Sequence, residues 1–104
     1  MAHYHVSARF RGDRAALQAE LDSGKVKRML PFGPSLHYSL TRARYDPEAD
    51  RVVWEELDFC SPPLAQEREA VLDRYFEDIR TEKVRKGEGW RRTEGLPDFW
   101  EQES

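Results

Sequence analysis

A single cysteine, Cys60, occurs among the 104 residues, so no disulfide can close within the chain and a disulfide-stapled fold is excluded. No uninterrupted apolar run approaches membrane-spanning length. The N-terminus lacks the basic segment and apolar stretch of a secretory signal. Together these absences lead us to expect a soluble, cytoplasmic protein with no membrane partner. Positive charge is not in excess either. The formal net charge is −3, which supplies no broad attraction to nucleic acid or acidic lipid. A glycine-rich phosphate loop and a Gly-x-Ser-x-Gly elbow are both missing, as are internal repeats and low-complexity linkers. No motif specifies a cofactor.

Charged residues are plentiful, at 36%, which implies a solvated surface around a modest core. The length suits one compact domain, with its core over about residues 2–93 and a C-terminal tail over 94–104. Residues 2–10 alternate strictly, with Ala2, Tyr4, Val6, Ala8 and Phe10 on one side, and predict a half-buried strand. Gly12 breaks it. Asp13 then caps an expected helix over 14–23 whose stripe is Ala16, Leu17 and Leu21. Pro31-Phe32-Gly33-Pro34 interrupts any regular element.

Residues 35–45 and 50–60 predict a β-hairpin across a turn at 46–49, with Pro47 and Asp46 in favoured turn positions. Pairing Tyr45 with Asp50 sets Leu36, Tyr38, Leu40 and Arg42 opposite Phe59, Leu57, Glu55 and Val53, a mostly apolar face. The other face gathers His37 opposite Asp58, Ser39 opposite Glu56, Thr41 opposite Trp54 and Ala43 opposite Val52. Ser61 and Pro62 open a long helix whose stripe runs through Leu64, Arg68, Val71, Leu72, Tyr75, Phe76 and Ile79, with Val84 extending it. Gly87 and Gly89 end it, and residues 89–93 form a short last strand. The order predicts an α+β, ferredoxin-like βαββα(β) sandwich, an antiparallel sheet with two helices on one face. Those helices cover Tyr4, Val6, Leu36, Tyr38, Leu57 and Phe59.

The uncovered face is then the chemically interesting one, since all three histidines fall on it. A His37–Asp58 pair suits acid–base catalysis, the carboxylate orienting an imidazole that exchanges protons near neutral pH. His5, Trp54, Glu56 and Ser39 form the wall of a small-molecule site, with Trp54 as a stacking surface. His3, His5 and His37 make a weaker candidate set of metal ligands. Against all three stands the ordinary polarity of a strand's outward face. Cys60 shares that face and could approach His37. The basic residues at 25–28 and 91–92 read as solvated surface rather than phosphate contacts.

A large aromatic on an open sheet face calls for cover. In size and element order the whole chain resembles the ferredoxin-like superfamily of dimeric α/β barrels, which includes small monooxygenases, isomerases, stress-responsive barrel proteins and YCII-like proteins. Gly33-Pro34 is similar to a turn in the YCII-like sequences. The resemblance implies a homodimer with two sheets packed face to face and assigns no catalytic residue. The expected function is small-molecule binding or acid–base chemistry on the open face, whether or not the protein is an enzyme. The rival is a non-catalytic dimeric interaction or regulatory module.

Overall fold

The computed structural model describes residues 2–101; Met1 and positions 102–104 of the expected tail lie outside the described residues. The sheet is built around β1 (Ala2–Phe10), which pairs antiparallel with β3 (Arg51–Asp58) on one side and β4 (Phe76–Val84) on the other. A three-residue strand, β2 (Arg44–Asp46), pairs with β3 and gives the order β2-β3-β1-β4. This is an α+β fold with ferredoxin-like strand order. α1 (Arg14–Asp22) follows β1, and Asp13 caps it by accepting the Ala15 N–H at 2.9 Å.

Most of the first arm of the expected hairpin becomes a helix; the turn and the second arm remain, with Tyr45 opposite Val52 rather than Asp50. Residues Gly33–Thr41 form α2, with Pro34 in its first turn. The Leu36-x-Tyr38-x-Leu40 alternation fits a strand, but Leu36 and Leu40 are also four residues apart, as are Ser35 and Ser39. The helical spacing wins because both periods are served by tertiary contacts. Leu36 and Leu40 enter the core. Ser35 and Ser39 donate to the β3 carbonyls of Leu57 and Glu55 at 3.1 and 2.7 Å. Those edge carbonyls lie beyond the reach of β2, so α2 satisfies acceptors that a strand would otherwise take.

The long helix also divides. α3, residues 65–75, joins Ala65–Glu67, a π-helical turn Arg68–Leu72, and Asp73–Tyr75. The chain then becomes β4, where the β-branched Ile79, Thr81 and Val84 favour extended structure. The fourth strand therefore lies at Phe76–Val84, and the residues expected to form it, 89–93, largely become α4 (Glu88–Arg92).

Across the β1–β3 ladder Val6 faces Trp54, Ala8 faces Val52 and Tyr4 faces Glu56. Trp54 is thus on the core side, fully buried beside Phe76 with ring centroids 5.2 Å apart. Leu57, expected in the core, lies on the opposite face with His3. Phe59 is 71% exposed.

The dimeric α/β barrel is overturned by that opposite face. The sheet does not close, since β2 and β4 remain at its edges, and the face that a partner sheet would need is occupied by the chain's own α4. Glu55 seats it. Its Oε1 accepts the N–H groups of Gly89 and Trp90 at 2.7 and 3.2 Å, and its Oε2 accepts that of Gly87 at 2.9 Å. A carboxylate at these free N–H groups forms charge-assisted bonds. Nearby, Arg51 spans three strands on the same face, donating to Ser7 Oγ at 3.1 Å and to Asp78 Oδ2 at 2.9 Å. Every residue of β3 except Leu57 is buried. Beyond α4 the chain passes over the edge of β2, with the Tyr45 N–H bonded to Pro97 O and the Phe99 N–H to Ala43 O. Phe99 then packs on Phe10 with centroids 5.2 Å apart.

Glu55→Ala should lower unfolding stability by about 2–4 kcal/mol, because three N–H groups lose a charged acceptor. Gly89→Ala should also destabilise, since an added Cβ would lie 2.8 Å from Glu55 Cβ. Chemical denaturation checks both, and amide exchange should quicken first at Gly87, Gly89 and Trp90. Unchanged exchange at those amides in Glu55→Ala would contradict the anchoring role.

Candidate functional site

Strand alternation sends the successive acids Glu55 and Glu56 to opposite sides of the sheet. Glu56 points into the core, 1% exposed, and its Oε1 accepts the Trp54 indole N–H at 2.9 Å. Asp58, two residues on, shares that side and accepts the Leu64 N–H on Oδ2 at 2.6 Å. This bond holds a tight return of the chain. Leu64 has φ 65°, a left-handed conformation that costs a non-glycine residue about 1–2 kcal/mol. The return delivers Glu67, from the start of α3, into contact with both Asp58 and Glu56. Glu67 is fully buried. The Cys60 thiol, half-buried at the end of β3, donates to Glu67 Oε1 at 3.6 Å.

Asp58, Cys60 and Glu67 therefore present ligand atoms that all lie within 4.8 Å of one another. Among the described residues no Lys, Arg or His forms an ion pair with Glu56, Asp58 or Glu67. Oε2 of Glu56 and Oε2 of Glu67 are buried with no hydrogen-bond partner. Burial pushes Glu67 up to about 7, and the adjacent Asp58 carboxylate adds to the rise. Burial raises Glu56 well above the usual carboxylate range, against the pull of the Trp54 N–H, with Glu67 adding to it. Burial acts upward on Asp58 too, but bonds from Glu67, the Leu64 N–H and Cys60 outweigh it and hold Asp58 below its ordinary value. Burial also raises the Cys60 thiol, with the carboxylates of Asp58 and Glu67 contributing. Carboxyls driven apart in this way leave one ionised and one protonated near neutral pH.

The other side of the sheet carries a groove of about 520 Å³ between α2, the end of β3 and the turn into α4. His3, Tyr38, Ser39, Leu57, Lys86 and Trp90 line it together with Glu55. His3 Nδ1 lies 3.3 Å from Glu55 Oε2. Tyr38 is 52% exposed, and the Arg42 guanidinium sits over its ring, 3.7 Å from the centroid.

The residues singled out from the sequence are thus distributed over several places. Trp54, Glu56 and Asp58 lie together on the core side. Ser39 lines the groove. His5 lies on the groove side of β1, where burial first and Arg92 second lower its pKa. His37 is on α2 with Nδ1 buried and unpartnered, and no hydrogen bond or ion pair joins it to Asp58. The pairing rested on a strand at 35–45, and the helix there removes it. Among the described residues, the one group of acids, histidines and cysteines close enough to share an ion is Asp58, Cys60 and Glu67, which contains no histidine. His3, His5 and His37 do not form such a set.

The groove residues Tyr38, Leu57, Lys86 and Trp90 were not singled out from the sequence, and neither were two buried acids, Glu67 and Glu55, although each acid left a signal. Glu67 stands three residues after Leu64 and four before Val71, so a carboxylate sits directly on the apolar stripe. Glu55 fell opposite Leu40 on the face assigned to the core, an acid that needed an explanation.

Compared with protein families, curated proteins and solved structures, the chain matches none. Fold and geometry define a small α+β domain with ferredoxin-like strand order and a buried cluster that could hold a metal ion or ligand. Among the described residues no helix is long and apolar enough to cross a membrane.

The Glu67 shift has a definite pH signature. The unfolded side chain releases its proton near its ordinary value of 4.5 and the folded one near 7. Between those values the folded state binds the extra proton, so this group's contribution to stability falls as pH rises through the window. Glu67→Gln cannot ionise and should gain on the wild type from about pH 5 to about pH 8 in thermal melts. The lowered His5 pKa acts in the opposite direction, but equally in both proteins, and cancels in the difference. A difference in Tm that stays constant with pH would contradict the assignment.

Proposed function

We propose that the protein binds a small, flat, anionic ligand in the groove between α2, the end of β3 and the turn into α4. The observation that carries this reading is the composition of the groove. Aromatic and aliphatic walls from Tyr38, Leu57 and Trp90 converge with a few polar groups from His3, Ser39 and Lys86. Ligand sites are commonly concave and mostly apolar, with a small number of groups fixing orientation. Tyr38 is an exposed ring whose charge partner, Arg42, already lies over it. Lys86 supplies a cation for a ligand's acidic group. Glu55 also borders the groove, but its oxygens are taken up by three N–H groups and lie against His3. Its charge therefore opposes an anion less than an unpaired carboxylate would.

This keeps the small-molecule expectation and moves it to the groove, where Ser39 remains as a contact and His3, first considered only as a metal ligand, joins it. Glu56 and Trp54, on the core side, take no part in it.

Naphthalene-2-carboxylate and the neutral naphthalene-2-methanol, titrated separately and followed by amide NMR, test the reading. Shifts are expected at Tyr38, Ser39, Gly87 and Trp90. Tyr38→Ala should weaken both probes by about fivefold to tenfold, the scale of a lost aromatic contact. Lys86→Ala should weaken the acid more than the alcohol. No localised shift from either probe up to millimolar concentration would discard the proposal.

A further inference from the structure

The remaining unexplained chemistry lies on the opposite side of the sheet from the groove. Three carboxyl groups, Glu56, Asp58 and Glu67, are buried together with no paired cation among the described residues. Buried acids of this kind share protons or coordinate a metal. We propose that Asp58, Cys60 and Glu67 form a binding site for a divalent transition-metal ion of the zinc class, with Glu56 as an outer partner.

Four observations support it. The ligand atoms of Asp58, Cys60 and Glu67 already lie within 4.8 Å of one another. A tetrahedral ion about 2.0 Å from oxygen and about 2.3 Å from sulfur spaces its ligand atoms about 3.3–3.6 Å apart. Cys60 Sγ and Glu67 Oε1, at 3.6 Å, already meet that spacing, and an ion would have to draw the widest pair together. Second, Glu67 Oε2 and Glu56 Oε2 are buried and receive no hydrogen bond from any donor outside the carboxyl cluster itself. Glu56 is in hydrogen-bonding reach of Glu67 from outside the trio, the position from which an outer carboxylate orients a ligand. Third, a thiol among carboxylates selects borderline ions such as zinc, cobalt or iron over magnesium and calcium, which take oxygen alone. Fourth, Cys60 is half-buried at the end of β3 while Asp58 and Glu67 are buried, so one ligand of the trio already reaches the surface. A fourth ligand position remains for water or a small donor, as in metal sites that react.

The test uses the full chain without a histidine tag, stripped of metal by dialysis against chelator and titrated with cobalt(II). One equivalent should bind, with the visible bands of tetrahedral cobalt and a near-ultraviolet thiolate charge-transfer band. Cys60→Ser should abolish the charge-transfer band, and Glu67→Gln should weaken binding at least tenfold. Circular dichroism confirms that each variant is folded. Zinc should displace cobalt and raise the Tm of the wild type but not of Cys60→Ser, while millimolar magnesium or calcium should do neither. Failure to bind cobalt or zinc would overturn the site and leave a proton-sharing carboxyl cluster only. Binding that persists unchanged in both variants would overturn it equally by placing the ion elsewhere. Loss of naphthalene-2-carboxylate binding bears on the groove alone, so the two proposals fail separately.

Discussion

The carboxylate of Glu55 holds three backbone N–H groups around the start of α4 and lies against His3, and the placement of α4 and of the chain beyond it depends on that seat. A buried acid is costly without such partners, and with three charge-assisted bonds it becomes a rigid anchor. Gly89 makes the approach possible, because any side chain there would collide with Glu55. Once α4 is down, the sheet is sandwiched on both faces, and the chain beyond is directed over β2. There Phe99 joins the core, and the Trp100 indole donates to Leu40 O at 2.7 Å.

Glu55 and Glu56 are neighbours in sequence with opposite fates. Glu55 is balanced by backbone dipoles, which permits a charge in a dry place. Glu56 receives one indole N–H and faces another acid, so its environment favours a neutral form or a nearby cation. Strand alternation places one acid to hold the fold together and the next in a pocket of unmet electrostatic demand.

Much of this plan could be read from residues, and the errors share a cause. The strict alternation of 2–10 and the cap at Asp13 specify β1 and α1 through local chemistry alone. The stretch 35–41 satisfies two periods at once, since residues four apart are also two steps of two. What decides between them is the unpaired edge of β3 that Ser35 and Ser39 fill, a long-range demand with no local trace. Treating 35–45 as a strand set the phase of β3 wrongly and turned Trp54 and Asp58 outward. That phase error then produced an exposed aromatic, a histidine–aspartate pair and a sheet in need of a partner. The barrel assembly failed for a related reason. Glycines at 87 and 89 read as breakers, whereas Gly89 is there for close packing of a helix. Glu56 and Asp58 were singled out through that same phase, as neighbours of His37 and Ser39 on an open face, and their real surroundings are the core side of the sheet.

The passage of residues 97–99 across β2 also bears on how the molecule meets its own kind. Along one margin of the sheet, hydroxyls from α2 take the β3 carbonyls, β2 takes the next stretch, and Pro97 and Phe99 bond to the chain at β2. Stray strands find little free ladder there. The opposite margin, β4, is guarded by a bulge beside Asp78 and by Glu77, Arg80, Glu82 and Lys83, a crowd of charge that discourages further pairing. The two margins resist edge-to-edge aggregation by different means, one by occupancy and one by repulsion. Loss of the strap at 97–99 would uncover the β2 part of the first margin and leave the second untouched.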